Sequence, residues 1–223
     1  MNLDALVDMW SAIVVIGGTA VATLLRCGFG EMRATLHCLA QLLRRRFSYD
    51  RARAELAPQV ETIRHDGVMR ARPEPSADAE IAEATDAMIR HRSIAALIET
   101  HERHRDQRQA LRERALDFLS QAGELSPVFG LAGTLIALSQ VPTGGLQRGD
   151  LMDAVATAVL TTLYGLLAAH LTIFPLARMV ERRGQSEERE RQMLIEWLAV
   201  QLAQAMPSAL RSGPRNGAEE LAA

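Results

Sequence analysis

Three stretches of this chain contain no charged side chain: Met9–Leu25, Leu125–Val141 and Ala154–Ala177. At about 1.5 Å of rise per residue, helices of these lengths run roughly 26, 26 and 36 Å, against a hydrocarbon core of about 30 Å. Elsewhere charge is dense, with 25 basic and 27 acidic residues among 223. An arginine at mid-bilayer costs about 2.5–3.5 kcal/mol on insertion scales, so three windows free of them are a strong constraint. The pattern predicts three membrane-spanning helices. A mean hydropathy of −0.01 hides them, because the apolar residues are segregated rather than few.

The basic residues are all arginine, and the formal charge of −2 offers no basic surplus of the kind a nucleic-acid binder carries. Cys27 and Cys38 match neither a CxxC pair nor a disulfide framework, and no metal site is expected. Arginine asymmetry sets the topology. Only Asp4 and Asp8 precede the first span, whereas Arg26, Arg33 and Arg44–Arg46 follow it. The link between spans two and three carries a single Arg148, and Arg178, Arg182 and Arg183 follow span three. The positive-inside rule predicts an outside N-terminus and an inside C-terminus. With no small-residue cleavage site behind it, the first segment reads as a retained anchor.

The expected architecture is an all-α membrane protein with long cytoplasmic helical extensions. Residues 1–26 form the first transmembrane helix, 27–121 a cytoplasmic helical region, and 122–178 a two-helix core. Residues 179–206 form a cytoplasmic amphipathic helix carrying Leu194, Trp197, Leu198 and Leu202, and 207–223 a disordered tail. In residues 30–47, Met32, Leu36, Leu39 and Leu43 fall on one helix face. Pro73 and Pro75 mark a break, after which one helical run is expected from about Ala79 to Gln121.

Spans two and three are rich in small residues. Gly130, Gly133 and Gly165 suit a packing seam where helix backbones approach closely. The threonines admit two readings. A row of Thr157, Thr161, Thr162 and Thr172 in one span can line a hydrated path for protons or small cations. The same hydroxyls can instead bond back to a carbonyl of the preceding turn. No Asp, Glu, Lys or Arg lies in either span, and His170 is the one titratable candidate, more simply read as a helix–helix hydrogen bonder. A proton path therefore requires a carboxylate from another chain.

The residues Gly123–Leu138 (GELSPVFGLAGTLIAL) and Ala154–Ala177 (AVATAVLTTLYGLLAAHLTIFPLA) resemble the core helices of the MotA/TolQ/ExbB ion-channel family. Ile13–Leu25 resembles the second membrane helix of its MotA/PomA stator branch, and the Thr161-Thr162-Leu163-Tyr164-Gly165 motif leans the same way. Thr157 stands where the TolQ/ExbB branch usually has a Glu. The resemblance implies a pentamer around a single-span partner of MotB, TolR or ExbD type, whose aspartate accepts the ion. It implies an ion path along Thr134, Thr161 and Thr162, helix kinks at Pro127 and Pro175, and a multi-pass place in a bacterial inner membrane. No cofactor is implied beyond the transported H+ or Na+, and no enzymatic activity. MotA proteins have four membrane helices; the first is lacking here, which leaves the three-span layout of TolQ and ExbB. The MotA rotor-contact charges do not map cleanly, since Ile94 precedes Ala95-Ala96-Leu97 where an arginine is usual.

Other motifs are blander. His101-Glu102-Arg103-His104 is one residue short of HExxH and reads as a solvated helix face. Arg44–Arg46 serves lipid headgroups or topology alone. The rival functions are a Tol/Exb-type envelope energiser and a non-conducting membrane scaffold.

Overall fold

A computed structural model of the chain describes residues 9–66, 78–140 and 148–205. Within these residues every regular element is helical: α1 (Met9–Cys27), α2 (Phe29–Leu43), α3 (Tyr49–Asp66), α4 (Ala79–His91), α5 (Ile94–Ser139), α6 (Arg148–Leu167), a π-helical segment (Ala168–Ile173) and α7 (Phe174–Ala205). Three helical stretches are long and apolar enough to cross a membrane: Met9–Cys27, part of Ile94–Ser139, and part of Leu151–Gln204. The Pro73–Pro75 break, the Arg148 side chain and the tail beyond residue 205 lie outside what is described.

The chain divides into two compact units, one drawn from Met1–Arg44 and Ala110–Arg183, the other from Arg45–Gln109 and Gly184–Ala223. Helices α5 and α7 each contribute residues to both.

The first unit is built inside out relative to a water-soluble fold. Helix α1 buries Ser11, Val15, Thr19 and Thr23, at four-residue steps, and packs on α6. Its large side chains face away, Trp10 being 66% and Leu25 82% exposed. In lipid there is no hydrophobic gain from tucking leucine inward, so helices associate through small side chains that let them approach. Gly28, at φ 92°, takes the left-handed backbone that separates α1 from α2.

Helix α2 departs from the leucine face expected of residues 30–47. Its buried residues are Ala34, Thr35 and Cys38, while Leu36 and Leu43 are exposed. Cys38 packs in one cluster with Ala115, Leu119 and Val180, and the small thiol side chain permits that approach where leucine would hold the helices apart.

The second unit has a conventional apolar core. Leu56, Val60 and Ile63 of α3 and Ile81, Ala84 and Met88 of α4 meet Leu97 of α5 and Leu194, Leu198 and Leu202 of α7. A charge network joins α4, α5 and α7 within this unit. Arg108 pairs with Glu188 at 2.9 Å and with Glu80, and Arg191 pairs with Asp78 at 2.6 Å and Glu80 at 3.2 Å. Asp78 also caps α4, accepting from the Glu80 and Ile81 amides. Burial pushes the Asp78 carboxyl up, but the hydrogen bond and charge of Arg191, with the two amides, outweigh it and hold the group below its usual range.

The run expected from Ala79 to Gln121 is interrupted. Arg92 adopts the left-handed conformation (φ 52°, ψ 36°) and closes α4, and the Ser93 hydroxyl accepts from the Ala95 amide to open α5. A serine cap supplies an alternative hydrogen bond for the backbone, which apolar periodicity does not register.

Candidate functional site

The expected ion-path residues surround the crossing of α5 and α6. Backbones meet there with no room for side chains. A methyl group on Gly165 would sit 2.7 Å from the Ser126 carbonyl oxygen and 3.1 Å from the Gly130 Cα. One on Gly130 would lie 3.0 Å from the Thr161 carbonyl oxygen, and one on Gly133 2.9 Å from the Thr161 Cβ. The buried Ser126 hydroxyl donates to the Gly165 carbonyl at 3.0 Å, a polar tie between the two helices. Aromatic side chains fill the neighbouring glycine notches, Phe129 against Gly18 and Phe174 against Gly123.

The three threonines flank this crossing without sharing one environment. Thr161 is buried, 3% exposed, with its side chain against Gly133, whereas Thr134 and Thr162 are half-buried. Each hydroxyl donates into its own helix: Thr134 to the Leu131 carbonyl at 2.6 Å, Thr161 to that of Ala158 at 2.9 Å, and Thr162 to Ala158 at 3.3 Å. Back-bonding and a role toward an ion are therefore not exclusive. With its only proton committed, each oxygen retains acceptor capacity alone, which suits water, hydronium or a bare cation and suits an anion badly. Thr161 and Thr157 also border a cavity of about 40 Å³ with Trp10, Ser11 and Gln140, enough for a water molecule.

The two prolines behave differently. Helix α5 stays α-helical through Pro127, with Ser126 and Gly130 on either side serving the contact with α6. Before Pro175 the helix widens into the π segment, in which the Phe174 amide reaches back to the Ala169 carbonyl. Proline has no amide proton and its ring collides with the carbonyl four residues earlier, so a regular α-turn ending there is disfavoured. Sequence reasoning places a kink near Pro175 but gives no sign of a π-turn. His170 lies in this segment, exposed, its ring 5.4 Å from that of Phe174. The Ser126 tie is equally silent in the sequence, because a serine beside a proline has many commoner uses.

His101 is not on a solvated face. It is 4% exposed, its Nε2 has no hydrogen-bond partner among the described residues, and Glu188 stands 3.8 Å away. Burial, with the nearby Arg108 charge, pushes its pKa below the ordinary value, so the ring is held neutral. His104 binds Glu83 at 3.0 Å.

The family model described as the MotA/TolQ/ExbB proton channel family matches residues 73–193. Motility protein A of Cereibacter sphaeroides is 24% identical over 196 residues, covering 86% of this chain and 76% of that protein. The uncharacterized protein YtxD of Bacillus subtilis is 32% identical over 114 residues, and Motility protein A of Borreliella burgdorferi 32% over 91. Those matches cover 51% and 41% of this chain but only 38% and 35% of the relatives. Among solved structures, MotAB of C. jejuni superposes with a TM-score of 0.82 at 16% identity, covering 94% of this chain and 84% of that one. The flagellar MotAB stator complex from Bacillus subtilis gives 0.78 at 20%, covering 92% and 82%. At such identities the agreement establishes the fold alone, with every regular element helical among the described residues and three stretches long and apolar enough to cross a membrane.

Proposed function

The chain belongs to the MotA/TolQ/ExbB proton channel family, and from that premise we propose that it is a stator-type channel subunit that couples entry of H+ or Na+ to mechanical work. The observation that carries the reading is the α5–α6 crossing, where threonine oxygens presenting only acceptor capacity border a glycine-tight contact, and neither the 125–141 nor the 154–177 stretch carries a carboxylate. Such a wall passes a cation without trapping it. It cannot take up and release a proton, so the titrating group comes from a partner.

In this reading five copies surround two single-span helices of a MotB-like partner, whose aspartate is neutralised by the entering ion beside Thr134 and Thr162. Thr161, buried behind them, touches the small cavity toward Trp10 and Ser11. The rigid crossing keeps the acceptors in register while the partner carboxylate alternates between charged and neutral forms. Named relatives include motility proteins and a chemotaxis protein, PomA of Vibrio alginolyticus, which favours flagellar rotation as the output over envelope energisation. The arginines following the first and third apolar stretches support an N-out, C-in reading in the inner membrane of a bacterium.

The test is a pair of substitutions, Thr134→Val and Thr162→Val, each removing one acceptor at nearly constant volume. Both are expected to lower ion-driven output or ion flux at least tenfold, with assembly unchanged by size and composition. Unchanged flux in the combined variant refutes the pathway.

A further inference from the structure

A cavity of about 910 Å³ in the first unit is lined by none of the threonines of the proposed ion path. It lies along the π segment and the first turns of α7. Its lining mixes two chemistries. Leu116, Phe174, Pro175 and Met179 are apolar, and Met179 remains 55% exposed. Arg178 and Arg182 add charge, four residues apart and thus on one helix face.

The third arginine of this turn shows what a structural role looks like. Arg183 donates to the carbonyls of Leu42 and Arg44, tying α7 to the end of α2. Arg178 and Arg182 have no hydrogen-bond or ion-pair partner among the described residues. Glu181 borders the same cavity and is engaged in an interaction of its own, leaving the lining with a net positive charge. Ser120 and His170 complete the polar lining.

Depth decides what such a cavity meets. The third uncharged stretch ends at Ala177, and Arg178 is the first charge after it. If α6 and α7 cross the bilayer, this is the level of the lipid phosphates. We infer that the cavity binds an anionic phospholipid, with its phosphate between the Arg178 and Arg182 guanidinium groups and its upper acyl chain against Phe174 and Met179. Guanidinium groups offer phosphate paired donors in a fixed fork, and the volume lies within the range of ordinary ligand sites. The site's position beside the π segment and Pro175 means that a bound lipid fills the flank of the least regular turn in the membrane unit. The inference rests on membrane insertion and is independent of ion conduction.

The test uses the full chain, extracted with its native partners and placed in mixed phosphatidylcholine–phosphatidylglycerol nanodiscs. Native mass spectrometry then reads which lipid survives activation. Phosphatidylglycerol is expected to be retained over phosphatidylcholine. Since each basic residue near an anionic surface contributes a factor of about 5, Arg178→Gln/Arg182→Gln should weaken retention about 30-fold. The charge-conserving Arg178→Lys/Arg182→Lys variant should lose part of it, guarding against a topology defect. An Arg44→Gln/Arg45→Gln/Arg46→Gln variant, which alters none of the cavity's lining side chains, should keep it. Equal retention of both lipids, loss in the Arg44–Arg46 variant to the same degree, or displacement by inorganic phosphate would each overturn the assignment. Failure to insert into nanodiscs would instead refute the membrane reading beneath it.

Discussion

Replacing Gly165 with alanine adds one methyl group at the α5–α6 crossing, and the structure fixes what it meets. The nearest atoms are the Ser126 carbonyl at 2.7 Å and the Gly130 Cα at 3.1 Å. Both are backbone, so no side chain can swing aside and the helices must separate. Overpacking of this kind costs about 3 kcal/mol at the upper end of its usual range. Separation also weakens the Ser126–Gly165 hydrogen bond, worth about 0.6 kcal/mol between membrane helices. Against these stands about 1 kcal/mol of helix propensity gained by glycine to alanine. The net expectation is destabilisation by about 2–3 kcal/mol. Gly17→Ala is the matched control, because nothing lies within 4 Å of its added methyl, and only the propensity gain remains. Unfolding in mixed micelles of rising SDS fraction, followed by circular dichroism, should rank Gly17→Ala at or above the parent and Gly165→Ala well below it. Equal midpoints for the two variants would refute close backbone packing as what holds the crossing together.

Three further outcomes follow from the second unit. His101 is held neutral by burial, so its folded pKa lies below the ordinary 6.5 and the unfolded chain binds the proton more readily. Stability should be full above about pH 6.5 and fall as pH drops through that value toward the folded pKa, a slope that His101→Gln flattens in thermal melts. Asp78, also with a lowered pKa, adds a second loss that begins only as pH falls through its ordinary 3.8. Arg108→Gln strands Glu188 and leaves Glu80 with Arg191 alone in a partly buried network, and should cost about 2 kcal/mol, discounted from the fully buried case because Arg108 is 23% exposed. Raised salt should not reproduce that loss, since screening acts weakly on partly buried pairs.

Much of the membrane unit is legible in the sequence because lipid forbids charge so sharply. Three uncharged windows among dense arginines leave few alternatives, and the glycine and threonine spacing marks the helices that meet. The leucines of α2 mislead for the complementary reason. Apolar periodicity identifies a packed face only where water is the alternative, and beside a bilayer small residues such as Ala34 and Cys38 take that face. The break at Arg92–Ser93 rests on a single left-handed residue and a serine cap, signals carried by two residues and swamped by helix formers on both sides. His101 shows the limit in another way. Its neighbours Glu102 and Arg103 advertise a wet surface, and only the three-dimensional approach of Glu188, Arg108 and Arg191 reveals a buried ring. At the proposed ion path, sequence supplies the threonines but not that each hydroxyl proton is already spent on its own helix.

The central claim, that this chain works as a channel subunit with a carboxylate supplied by a partner, is tested most directly by native mass spectrometry of the complex gently extracted from its own membranes. The account predicts five copies of this chain with two copies of a single-span protein bearing an aspartate in its span. A reproducible monomer or dimer with no such partner would leave the threonine-lined crossing without a titrating group and would contradict it.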